Sequence, residues 1–207
     1  MKIAVMQPYF FPYLGYFKLI NSVDAFVFFD DVQYIRRGWI NRNRIRINEP
    51  LWLTIPIKKC PRETIINKIE IDDSWSNETL LTFKTIYGKS VIDHPLFSYY
   101  SSLYNYKMLC PMLCDSIEWM SNFLNIKTNF FYSSNMPSEK KNQDRILDIC
   151  KKLGATHYFN LPGGRDLYDE KIFEKEGIKL EFIDTDHYKK ISVIESCFDE
   201  NASNLRF

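Results

Sequence analysis

The chain opens on a short continuous apolar run, KIAVM (2–6), that stops before Pro8. Such a run reads as a buried strand. After Pro12, residues Leu14 to Val23 predict a short helix, and DAFVFFD (24–30) is a second buried run. A strand, turn, helix and strand within about thirty residues has the size of a βαβ unit and implies a parallel pair. A polar and basic stretch, DVQYIRRGWINRNRIRINEP, comes next, and LWLTIPI (51–57) and IINKIEI (65–71) predict two more strands.

From Ser74 to about Asn125 the apolar spacing becomes helical. A helix from Ser76 carries Leu80, Leu81, Phe83 and Ile86, and Pro95 and Pro111 each open another. The α/β rhythm returns with NFFYSS (129–134), the helix KNQDRILDICKKLG (141–154) and THYFNL (156–161). A short helix stopped at Gly177 and the strand IKLEFID (178–184) complete it. The pattern predicts a single α/β domain over residues 1–207, a Rossmann-like parallel sheet with a helical insertion over 74–126. The polar tail NASNLRF (201–207) is expected to fray.

Composition narrows the function. A chain of 207 residues buries about 70% of its unfolded surface and needs neither disulfides nor metal. The net charge of +1 argues against a broad nucleic-acid surface. Five cysteines without a CxxC pair fit a reducing compartment, so a cytoplasmic location is expected. The apolar run before Gln7 is too short for a secretory signal, and no run reaches the roughly 18 residues of a membrane span.

Three stretches could carry chemistry. In QPYFFPYLGYFK the first strand-to-helix turn holds Gln7, Tyr9, Tyr13, Gly15 and Tyr16. In doubly wound sheets that turn is the usual anion site, Gly15 would let a ligand approach the backbone, and the tyrosines would line a pocket. The competing reading makes Phe10, Phe11 and Phe17 core and Gly15 a packing glycine. The frame Pro12-Tyr13-Leu14-Gly15-Tyr16 also resembles the HIGH turn of class I nucleotidyltransferases, with tyrosines where that turn has histidines. This is a hint of a HUP-like, nucleotidyltransferase-like fold. In the second stretch, Asp30 and Asp31 end a strand, and Arg36, Arg37, Asn41, Arg42, Asn43, Arg44 and Arg46 follow. An extended segment puts Arg42, Arg44 and Arg46 on one face, where guanidinium forks match phosphate. The third stretch, NLPGGRDLYD, offers Gly163, Gly164 and Arg165 at another strand end as an anion-binding turn. No HxxxH, HExxH or zinc-spaced Cys/His set is present, so no metal site is expected.

Together, MQPYFFPYLGYFKLI, DAFVFFDDVQYIRRGWINRNRI, YFNLPGGRDLY and SVIES resemble the WbqC-like family along essentially the whole chain. Glu195 stands where that family more usually has Asp. The family is associated with bacterial O-antigen and capsule gene clusters. The resemblance implies a transferase that attaches an acyl or aminoacyl group to a nucleotide-linked amino sugar. Asp30, Asp31 and His157 are the candidate bases for the amine. ATP or an activated acyl donor would be the cosubstrate, and an oligomer is compatible with the chain. An ATP-dependent nucleotidyltransferase or ligase and a non-catalytic sugar-nucleotide-binding subunit are the alternatives.

Overall fold

In the computed structural model, which describes residues 1–45, 49–76 and 78–198, five parallel strands form one sheet. They are β1 (Lys2–Met6), β2 (Ala25–Phe28), β5 (Asn129–Tyr132), β6 (His157–Asn160) and β7 (Lys179–Phe182). Their spatial order is β5-β2-β1-β6-β7. Every pairing is parallel, with Ile3 opposite Ala25 on one side and Tyr158 on the other. The chain works outward from β1 to β2 and β5, then returns to lay β6 on the free side of β1. The switch point, where doubly wound sheets bind ligands, is therefore between β1 and β6. The Rossmann-like α/β expectation holds.

Alternation along the strands builds two cores. Ile3, Val5, Ala25 and Val27 face α5 (Asn142–Lys152) and α6 (Glu170–Lys175) in one buried cluster. Ala4, Phe26 and Phe28 face the other way, into the larger cluster with α1 (Leu14–Asn21). That second core continues through the segments between β2 and β5. These are the antiparallel hairpin β3 (Arg42–Ile45) and β4 (Leu51–Thr54), and the helices α2 (Glu78–Tyr87), α3 (Pro95–Ser102) and α4 (Leu109–Phe123). The last helix, α7 (Val193–Phe198), buries Val193, Ile194 and Cys197 in the same core.

Two local expectations change. IINKIEI is not a strand: it forms a 3-10 turn at Ile66–Lys68 between isolated bridges Gln33 to Ile65 and Ile57 to Ile71. Its backbone N–H groups go to separate partners, Ile66 to Val32 O and Asn67 to Asp30 O, so no ladder can run. α4 begins at Leu109, two residues before Pro111. Proline fits there because the first-turn N–H groups have no partner inside the helix. Arg46 and the tail NASNLRF lie outside the described residues. No described helix is long and apolar enough to cross a membrane.

Candidate functional site

The turn after β1 is held from both sides. Asn43 on β3 donates its amide to Phe10 O at 3.0 Å and Phe11 O at 2.8 Å. Ser192 donates its hydroxyl to Phe11 O at 2.9 Å, and the Val193 N–H meets Pro12 O at 3.1 Å. Tyr16 donates to Gln7 O at 2.9 Å from a fully buried position, and burial pushes its phenol pKa well up. With its carbonyls occupied in this way, the turn keeps Phe11 at φ 39°, a left-handed conformation costly for a large side chain. Strain of about 1–3 kcal/mol persists only where the surroundings over-determine it, and it concentrates at functional sites.

Above this turn is a hollow of about 130 Å³ lined by Tyr9, Pro12, Tyr13, Trp39, Asn43 and Lys190. Tyr9 is partly buried, which raises its pKa and makes it a poor base. Tyr13 forms one wall, its hydroxyl 3.3 Å from Thr185 Oγ1 in the segment after β7. Trp39 is 41% exposed and stacks on Trp52 of β4, with centroids 5.5 Å apart. Arg44 lies over both indoles, at 5.3 and 5.6 Å, and reaches Lys190 O at 3.4 Å. Among the described residues no carboxylate pairs with Arg42, Arg44 or Lys190. An aromatic hollow rimmed by unpaired cations suits a ligand with a flat ring and an attached phosphate.

The residues singled out in the sequence divide into several groups. Gln7, Tyr9 and Tyr13 meet at this turn, with Arg44 at its edge. Gly15 is closed to any ligand in this arrangement. A Cβ there would come 2.3 Å from the Tyr13 ring and 2.9 Å from Thr185 Cβ, so the space above it is filled by the protein. Tyr16 is core. Asn41 accepts from Tyr34 Oη at 2.7 Å and donates to Ile55 O at 2.8 Å, joining the hairpin to the preceding loop. Arg42 stacks on Trp52 at 4.2 Å and gives its N–H groups to the Gly38 and Arg37 carbonyls. Arg36 reaches Cys60 O, and Arg37 is exposed at φ 59°.

The acids serve the neighbouring loop. Asp30 is buried and accepts from Ser133 Oγ, Ser134 N, Ser134 Oγ and Asn67 Nδ2, at 2.7 to 3.3 Å. Asp31 pairs with the buried Arg145 at 2.9 Å and with Ser133 Oγ at 2.5 Å. These bonds fasten the end of β2 to the end of β5. His157 is the first residue of β6, level with Lys2 and Lys179 at the amino edge of the sheet. It is therefore at the far end of the strand from the turn. Gly163, Gly164 and Arg165 form a 3-10 turn after β6. Gly164 packs on the Asn160 amide, and Arg165 leans over Phe182 at 4.7 Å, toward β7.

A model of the WbqC-like protein family matches residues 7–205, from the first residue of the turn through the segment that carries Ser192. The chain belongs to the WbqC-like protein family. A relative from Mycobacterium tuberculosis (strain H37Rv), described as "Uncharacterized protein Rv1507c", is 27% identical over 217 residues. That alignment covers 99% of this chain and 91% of the relative. No solved structure matches the chain. For this WbqC-like protein, sequence reasoning missed Trp39 and Lys190, and quoted Ser192 only within SVIES without giving it a role. A lone Trp-Ile in a basic loop and a Lys-Lys pair near the C-terminus carry no motif, and only the fold brings them to the turn.

Proposed function

We propose that the protein binds a nucleotide-linked amino sugar in the hollow and transfers an acyl or aminoacyl group to its amine. The observation that supports this most is the pairing of an aromatic hollow with Arg44 and Lys190, neither paired to a carboxylate among the described residues, beside a strained turn held by hydrogen bonds at the end of β1. In this reading the base rests against Trp39 and the tyrosines, the pyrophosphate meets Arg44 and Lys190, and the sugar points toward the end of β2. The neutral amine attacks the acyl carbonyl, a C–N bond forms, and the bond to the donor's leaving group breaks. The amine proton leaves with a thiolate, alcohol or phosphate leaving group, or passes to a base. Work in O-antigen or capsule assembly is the setting that the family's gene clusters suggest.

A specific observation favours a second reading. Asp30 and Asp31 are spoken for by Ser133, Ser134 and Arg145, and His157 is at the other edge of the sheet. None of the three candidate bases faces the hollow. A sugar-nucleotide-binding subunit needs no base. Titration calorimetry with dTDP-, UDP- and GDP-linked amino sugars tests the binding. Trp39→Ala should weaken it by about tenfold, taking one stacking contact at ~1–1.5 kcal/mol. Mass spectrometry for a new amide, with thioester, aminoacyl ester or ATP plus carboxylate supplied, separates transferase from subunit. Failure of every sugar nucleotide to bind would sink both readings.

A further inference from the structure

The net charge of +1 conceals a concentration of positive charge. Residues 32–63 hold eight lysines and arginines against two glutamates. The structure strings several of these along one path. Arg36 bonds to Cys60 O and so is beside Lys59, and Arg42 bonds to the Arg37 carbonyl. Arg42 and Arg44 project from the same face of β3, because Arg44 is opposite Trp52 and Arg42 opposite Thr54. Arg44 reaches the backbone of Lys190, which lines the hollow. We propose that this path is a docking track for a single-stranded phosphodiester chain, whose terminal nucleotide competes with the sugar nucleotide for the hollow.

The geometry favours a phosphate chain over a bilayer. Trp52 has Arg42 at 4.2 Å and Trp39 stacked on it, and Trp39 lines the hollow. A membrane interface takes tryptophan rings that are free to sit among headgroups. A guanidinium packed over an indole instead keeps its remaining N–H groups for a phosphate. Arg42 has two N–H groups committed to the loop carbonyls, so Arg44 and Lys190 are the main phosphate ligands. The track is narrow, which is how a nearly neutral chain can offer it.

Fluorescence polarisation with short labelled oligouridylate and oligodeoxyuridylate, at rising salt, tests the proposal on the full chain. Three neutralised phosphates give a slope of log affinity on log salt of about −2. Arg44→Gln with Lys190→Gln should weaken binding at least about tenfold at low salt and bring the slope toward about −1. Lys175→Gln, on the exposed face of α6, should change nothing. Lys189→Gln with Lys190→Gln tests the same claim without touching the hairpin. Tighter binding of RNA than DNA would point to contacts with the 2′-hydroxyl, and equal binding to the backbone alone; both support the track. Absence of oligonucleotide binding at low salt, affinity indifferent to salt, or wild-type affinity in both double variants would overturn it. So would preferential retention on vesicles of anionic lipid, which would assign the surface to a membrane.

Discussion

Gly15→Ala tests whether the first turn is packed by the protein itself. The added Cβ would come 2.3 and 2.8 Å from the Tyr13 ring and 2.9 Å from Thr185 Cβ, all closer than real methyl contacts. The Tyr13 ring tip can swing away, but Thr185 is buried and its Cβ is fixed to the backbone. Overpacking of this kind costs about 1–3 kcal/mol. Losing the Tyr13 to Thr185 hydrogen bond adds about 0.5–1 kcal/mol. Gly15 is the second residue of α1, so alanine also returns up to about 1 kcal/mol of helix propensity. The net loss is about 2 kcal/mol, or roughly 4–8 °C in melting temperature for a chain of this size. Calorimetry on the variant, and on Gly15→Ala in a Tyr13→Ala background, gives the coupling directly. The double variant should recover part of the loss, because the ring that clashes is gone. A Gly15→Ala protein that melts like wild type yet no longer binds nucleotide would refute this reasoning and place a ligand over the glycine.

Asn43→Asp, nearly isosteric, turns a donor into an acceptor facing the Phe10 and Phe11 carbonyls. It should cost about 3 kcal/mol or more in urea denaturation, and an unchanged midpoint would show that the turn does not depend on that amide. Asp30→Asn sets an NH₂ group against hydroxyl and N–H donors from Ser133 and Ser134. A loss of about 2–4 kcal/mol is expected, and full stability with lost activity would instead argue for a catalytic carboxylate. Glu118 is half-buried beside the Tyr132 hydroxyl, and burial raises its pKa. An acid raised in the folded state weakens stability as pH climbs from its unfolded pKa through its folded one. Glu118→Gln should therefore melt higher than wild type at neutral pH, with the advantage gone below about pH 4; an advantage independent of pH would contradict the assignment.

The parallel sheet was readable because its strands are short apolar runs of Ile, Val, Phe and Tyr bounded by turn residues, which periodicity detects. IINKIEI misled for the same reason: its isoleucines look like a strand, but its N–H groups serve scattered partners. Position in a strand could have placed His157. It stands near the start of THYFNL, hence at the amino edge of a parallel sheet. The partners of Asn43, Ser192 and Gly15 could not be read this way, although packing was one of the two readings open for Gly15. Each depends on a partner far along the chain, and neither hydrophobic pattern nor spacing records what an amide, a hydroxyl or an absent Cβ will meet.

The bond between Ser192 and the Phe11 carbonyl joins residues 181 positions apart. At about 5–20 residues per second, a ribosome needs roughly 10–40 s to travel between them. For that interval β1 and α1 can form while the turn between them keeps a carbonyl without its final partner. A chain halted before residue 192 could still assemble most of its sheet, but would keep Phe11 in its left-handed state without one of its holders. The hollow is thus completed only once residues 190 to 193 have been made, and a shorter nascent fragment would expose an unfinished pocket.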